Sequence, residues 1–331
     1  AGSGNAPNIT ALITGSNVGI NIENARGYNF RAFVKKFDQT STIVLPNPNV
    51  PTPLLDTYTG TAVAYSLRKL RTTYTGSAIR IRRASDNAET DIDFDANNDL
   101  DTSAISTFCG SSDGFVEIWY DQSGNVNNAV QEIQDSQPKI YDGSAVKTRE
   151  GKPYMDMKPS NSNASFKFNN SVGDGNNLFI HFVFNWSPVN NGIILSDSGS
   201  GHSIAKRGTN RIRQRFTRPN NSIGTVDTNA TGLTAFSAPC LTILQVDYNN
   251  GGMDFYTFNL DINTSYPTST GFWSNFALDT IAGESNEIQE FIAYETPQSL
   301  NNAESIRNNS NNYYSIYDTG LLVDYPGAVA A

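Results

Sequence analysis

The stretch Asp113-Gly-Phe-Val-Glu-Ile-Trp119, continuing into Tyr120-Asp-Gln-Ser-Gly-Asn125, decides the fold. An Asp-Gly turn signal, a short aromatic and β-branched run and a second turn rich in Gly, Ser and Asn read as a buried strand between two surface loops. Downstream the same grammar repeats. Residues 154–157, 165–168, 178–186, 192–195, 211–216, 241–248, 253–258 and 290–294 are short runs of strand formers separated by Asn/Gly/Asp/Ser turns. That spacing predicts a mainly β chain, an antiparallel β-sandwich or jelly roll with a few short helices. The run 178–186 is apolar almost throughout, which fits a central strand covered on both faces. His181 inside it reads as a satisfied core histidine, since no second histidine lies nearby.

Upstream, residues 1–45 carry short strand-like segments and are expected to form an N-terminal β-rich arm. Pro46, Pro48, Pro51 and Pro53 follow in quick succession, so residues 46–53 read as a stiff, extended connector. The main domain is expected over 54–318, with an apolar tail at 319–331. Early in that domain Val63, Leu67, Leu70 and Tyr74 recur at helical spacing and predict an amphipathic helix ending near Gly76, with Arg68, Lys69 and Arg71 on its wet side. Ile79–Arg83 alternates apolar and basic residues, a half-buried strand with Arg80 and Arg82 outward.

The acidic run from Asp91 to Asp101 resembles a calcium loop, but Ala96 and Thr102 stand where an EF-hand needs Gly and Glu. A wet-faced strand, then a capped turn into a short helix ending at Cys109-Gly110, explains it better. No cofactor is implied, with calcium at this run the one alternative. Near the other end, Ser299 caps a helix whose Leu300, Ala303, Ile306 and Tyr313 follow a 3.6 period.

Composition excludes several function classes. The formal net charge of −9 disfavours binding to a phosphate backbone. The one basic cluster, Lys206, Arg207, Arg211, Arg213, Arg215 and Arg218, places three arginines on one strand face; a solvated face is the plain reading and an anionic-glycan groove the sharper one. Cys109 and Cys240 lie far apart with no further thiol at ligand spacing, so they read as buried free thiols rather than a metal or redox pair. No apolar run approaches bilayer-spanning length and no secretory h-region is present, so neither membrane insertion nor nucleic acid is expected.

The segment Ala62-Val-Ala-Tyr-Ser-Leu-Arg-Lys-Leu-Arg71, then Tyr74-Thr-Gly76, Arg80-Ile-Arg-Arg83 and Trp119-Tyr-Asp-Gln-Ser-Gly124, resembles the catalytic domain of the sandwich-fold fungal α-L-arabinofuranosidases. Glu290-Phe-Ile-Ala-Tyr294 and the following helix look like the close of concanavalin A-like, laminin G-type jelly rolls, a kind also found in bacteriophage structural proteins. In the arabinofuranosidases the nucleophile lies in a Gly-His-Met-Glu motif. Here Gly201-His202-Ser203-Ile204 stands there, with Ile204 in the nucleophile's place. The family's Gly-Gly-Asp acid/base motif is approximated by Ala282-Gly283-Glu284. A double displacement needs two carboxylates, so the resemblance implies an inherited scaffold without its chemistry, and Glu284 is catalytic only in a hydrolase reading.

The resulting expectation is a non-catalytic virion-surface protein (fibre, spike or capsid-decorating), extracellular in exposure. Residues 1–45 would contact other virion proteins, the sandwich would contact host-surface glycans, and a homo-oligomer, a trimer, is expected. Candidate sugar-contacting residues are the loop aromatics Tyr266 and Trp273, and Asp121. A secreted arabinofuranosidase and a bacterial surface lectin are the alternatives. For Asp121 itself, which follows a strand and precedes a Gly, capping of its own turn is favoured. Glu287 and Glu290 read as surface charges flanking a strand.

Overall fold

A computed structural model describes residues 52–157, 164–175, 178–185, 192–197, 202–207, 211–217, 223–229, 241–249, 252–258, 263–267, 276–283 and 287–316. The arm at 1–45, nearly all of the proline connector, the tail at 319–331, Cys240, Trp273 and Glu284 lie outside them. In chain order the elements are α1 (Leu54–Thr57), β1 (Val63–Ser66), β2 (Ile79–Arg83), β3 (Glu89–Ile92), α2 (Thr102–Cys109), β4 (Asp113–Trp119), β5 (Ala129–Val130), β6 (Lys139–Asp142), β7 (Thr148–Arg149), β8 (Lys152–Pro153) and β9 (Met155–Asp156). Then follow β10 (Ala164–Gly175), β11 (Leu178–Asn185), β12 (Gly192–Ser196), β13 (Ser203–Arg207), β14 (Arg211–Thr217), β15 (Ile223–Asn229), β16 (Leu241–Asn249), β17 (Gly252–Phe258), β18 (Asn263–Pro267), β19 (Phe276–Gly283), β20 (Glu287–Tyr294) and α3 (Leu300–Tyr314).

The pairings, all antiparallel, build two large sheets and a separate two-stranded ribbon, β7-β8. One runs β18-β17-β16-β11-β20-β1. The other runs β3-β2-β4-β5-β10-β19-β12-β13-β14-β15. Short β9 bridges them through β20 and β6. Because side chains alternate along a strand, Leu178, Ile180, Phe182 and Phe184 of β11 point into the main core. There they meet Trp119, Phe166, Phe168, Ile281 and Phe291. Tyr65–Phe168 and Phe168–Phe291 ring contacts at 5.3 and 5.6 Å tie the two sheets together, and Phe182 packs on Phe291 of the neighbouring strand at 5.5 Å. The other face of the first sheet is covered too. Phe179, Ile292 and Tyr294 pack with Ala303 and Ile306 of α3 and with Leu54 and Leu55 of α1. The molecule is therefore a β-sandwich with a helical third layer, and all eight residues of β11 are buried, as its sequence predicts.

The predicted helix over 62–74 is instead β1 followed by an extended segment. Val63 and Tyr65 face the sandwich core while Ala64 faces α3, so all four residues of β1 are buried and no period-2 pattern is visible. What a helix would satisfy internally is satisfied here by strand β20, by Asn98 and Leu100, and by one turn far away in sequence. Gln122 donates from Nε2 to the carbonyls of Ser66 and Arg68, and its Oε1 accepts from the Leu70 amide at 2.7 Å. The amide of Gln122 donates to the carbonyl of Ala64. The loop 121–127 is thus a surface loop only at its tip: Asp121, Gln122, Ser123 and Asn127 are buried, while Gly124, Asn125 and Val126 are exposed.

Asp101 caps α2 by accepting from the Ala104 amide, and Gly110 takes φ 60° beyond it. Asp95 Oδ1 accepts from the amides of Asn97 and Asp99, which makes the acidic run a hydrogen-bonded turn. Ser299 accepts from the Asn302 amide and starts α3. Arg82, expected outward, is buried, with Nε on Gln137 and Nη1 on Asn87.

One loop residue is under strain. Val126 has φ 57° and is 72% exposed, an unfavourable region for a β-branched side chain that packs little here. Val126→Asn is expected to raise stability by about 0.5–1 kcal/mol, read as an upward shift in the urea midpoint; a drop would mean that the valine makes a contact worth more than its strain.

Candidate functional site

Ile204 lies on β13 and is 0% exposed. Its register partner across β12 is Leu195, and Leu195 in turn faces Ile281 of β19, so the three form a continuous apolar row inside the sandwich. A carboxylate at this place would be desolvated against hydrocarbon. His202, just before β13, is buried, with Nδ1 3.8 Å from the Asp197 carboxylate. Burial pushes its pKa down, and Asp197 opposes that only in part. The amide of Asp197 donates to the carbonyl of His202, which closes the β12–β13 connection.

Asp121 sits at the end of the strand β4 where the chain turns back. Its Oδ1 accepts from the amides of Ala64 and Ser123, and Oδ2 accepts from the Asn127 amide and the Ser123 hydroxyl, all at 2.6–3.0 Å. The turn-capping role read from sequence is what the geometry displays. Tyr266, expected in a loop, belongs to strand β18 opposite Phe255.

The densest polar cluster was not read from sequence. Glu290, expected at the surface, is 0% exposed in the middle of β20 and faces the underside of α3. Arg68 grips it with Nε at 2.8 Å and Nη2 at 3.0 Å, a bidentate fork. The hydroxyls of Ser310 and Ser66 donate to the same carboxylate at 2.6 and 2.9 Å. Arg68 Nη1 reaches Asn309, and its guanidinium lies over the rings of Tyr313 and Tyr314. His181 places Nε2 2.9 Å from the Ser310 hydroxyl. Burial would raise the Glu290 pKa, but Arg68, with help from His181 and Ser310, overrides it and carries the carboxyl down to about 2. His181 is driven by burial to about 4, so it is neutral at physiological pH and its 3.8 Å approach to Glu290 is no ion pair there. The cluster is closed to solvent and joins β1, β11, β20 and α3; it can hold the helical layer but not a substrate.

A second feature lies on the opposite sheet. Glu117 of β4 is held above the usual carboxyl range by burial and by the neighbouring Glu89. Arg80 of the same face is committed to Asp91, at 2.8 Å. Among the described residues no group of three or more His, Cys, Asp or Glu side chains is placed to hold a metal ion.

Comparison with known proteins bears on the fold. The model of a family described as "Alpha-L-arabinofuranosidase B, catalytic" matches residues 56–158. No curated protein matches the chain. Among solved structures, a GH54 α-L-arabinofuranosidase soaked with a cyclic sulfate inhibitor superimposes with a TM-score of 0.56 at 14% identity, over 83% of this chain and 67% of that one. A mutant GH54 enzyme soaked with 4-nitrophenyl α-L-arabinofuranoside gives 0.54 at 13% identity, over 78% and 64%. An arabinofuranosidase complexed with arabinofuranosyl-alpha-1,2-xylobiose gives 0.51 at 14%, again over 78% and 64%. This chain thus spans less than two thirds of the length of two of the three. It is similar, in sequence over 56–158 and in fold over most of its length, to the GH54 α-L-arabinofuranosidase catalytic domain, a β-sandwich.

Proposed function

We propose that this chain is a non-catalytic, glycan-binding sandwich displayed on a virion surface, attached through residues 1–45 to other virion proteins and assembled as a homo-oligomer, a trimer in the simplest case. The observation that carries the non-catalytic reading is the burial of Ile204 between Leu195 and the core, where the resembled motif has its nucleophile. A hydrophobic side chain there removes one of the two carboxylates that a double displacement requires. Glycan binding is supported by likeness to a domain whose solved examples hold arabinofuranosides. The virion setting is supported by the resemblance to bacteriophage structural proteins and by the Asn-rich, acidic composition. No cofactor is needed; at Asp91–Asp101, calcium would have to displace the amides already bound to Asp95.

The purified chain is expected to leave a chromogenic arabinofuranoside unhydrolysed while retaining sugars on a glycan array. Turnover abolished by Glu284→Gln would instead establish the hydrolase, a reading favoured by the family match over 56–158. Mass spectrometry of purified particles separates the settings: stoichiometric recovery makes it a virion component, and free protein in the medium makes it a secreted lectin.

A further inference from the structure

We infer that the outer face of the sheet β10-β19-β12-β13-β14-β15 binds an acidic oligosaccharide, with Arg215 and Arg213 engaging its carboxylates. Residues directly opposite on neighbouring antiparallel strands share a face. The register therefore sets Lys167, Thr280, Ser196, Ser203, Arg215 and Thr225 in one row across six strands. The adjacent residues Phe166, Ile281, Leu195 and Ile204 are buried in the core, so the row lies on the side away from it. Lys167, Arg215 and Thr225 are exposed, whereas Ser203 is buried.

The chemistry of the row selects its ligand. Arg215 has only hydroxyl residues, Ser203 and Thr225, opposite it on its two neighbouring strands. Arg213 follows on the same face, opposite Ala205 and Asp227. Lys167 closes the far end, 3.9 Å from Asp279. A guanidinium is a planar fork matched to a carboxylate, and a hydroxyl both donates and accepts, as sugar hydroxyls require. At the usual interstrand spacing the row is about 24 Å long, suited to an oligosaccharide rather than a single sugar. The net charge of −9 disfavours a polyanion as dense as nucleic acid, while a chain with one carboxylate per sugar can be held at discrete basic points.

This deepens the glycan-binding reading and rests on it. The test is calorimetric titration of the full chain with oligogalacturonate and with its methyl-esterified counterpart, which has the same backbone without the charge. The acidic form is expected to bind, the ester at least tenfold more weakly, with affinity falling as salt rises. Arg215→Ala is expected to cost tenfold or more at an unchanged unfolding midpoint, with Arg215→Lys intermediate and Arg213→Ala combined with Arg215→Ala costing more. Equal binding of both forms, or binding untouched by the double substitution, overturns the site while leaving glycan binding in place. Binding of neither form, alongside an empty glycan array, overturns both.

Discussion

Replacing Glu290 with alanine is expected to cost about 3–5 kcal/mol of folding stability, because the substitution strands the Arg68 guanidinium, itself buried, without its counter-charge. Urea unfolding of Glu290→Ala beside the double variant Arg68→Met with Glu290→Leu distinguishes a lost pair from a lost volume. The double variant is expected to stay within about 1–2 kcal/mol of the parent, since apolar replacements of a buried pair are often neutral. A single-variant loss under 1 kcal/mol would mean that water reaches Arg68. The same cluster sets an acid limit. The folded pKa of Glu290, about 2, lies below its ordinary 4.5, so its contribution is present above 4.5 and lost as pH falls towards 2. His181 is likewise lowered, to about 4 from 6.5, by burial with Arg68 and Arg307 adding to it. The fold favours its neutral form, and that advantage is full above 6.5 and lost as pH falls to 4. Stability should therefore decline in two acid steps, and His181→Gln should remove the upper one in a pH series of urea midpoints.

Asp121→Ala is expected to cost about 3–4 kcal/mol. Three backbone amides, of Ala64, Ser123 and Asn127, lose their acceptor at once, and a buried donor left unmade costs roughly 1–3 kcal/mol, less where water enters. Asp121→Asn should recover only part of this, because one carboxylate oxygen becomes a donor facing donors. A fall in the urea midpoint at constant slope would confirm the loss as one of stability. A change under 1 kcal/mol would show that the turn holds without the carboxylate.

The sequence made the covered strand β11, the capped turn into the helix ending at Cys109, the Ser299 cap and the strand at 113–119 legible because each is a local signal. Val63, Leu67 and Leu70 misled for a physical reason: a strand buried on both faces loses its alternation, and the apolar residues after it happened to fall at helical spacing. The clue lay in Asp121 and Gln122, whose side chains supply bonds that a helix would have made for itself. Glu290 was misread because its partner Arg68 is 222 positions away. The signal lay in His181 inside the apolar run 178–184 and in Glu290 directly before the apolar run Phe291-Ile-Ala-Tyr294, which calls for a cation from elsewhere. Arg213 and Arg215 were visible as a same-face pair, but Ser203, Ser196 and Thr280 joined them only once the register was known.

The pairing of β1 with β20, Val63 opposite Ala293 and Ser66 opposite Glu290, also sets a timetable. The first strand of the sandwich cannot find its neighbour until more than two hundred further residues have left the ribosome, roughly 10–45 s at synthesis rates of about 5–20 residues per second. Throughout that interval β1 has the Asp121–Gln122 turn and Trp119 to lean on but not the strand it pairs with, and the cation at Arg68 waits for its counter-charge. Nascent chains stalled before Glu287 should therefore remain protease-sensitive and bound by chaperones, and protection should arrive in one late step as β20 emerges.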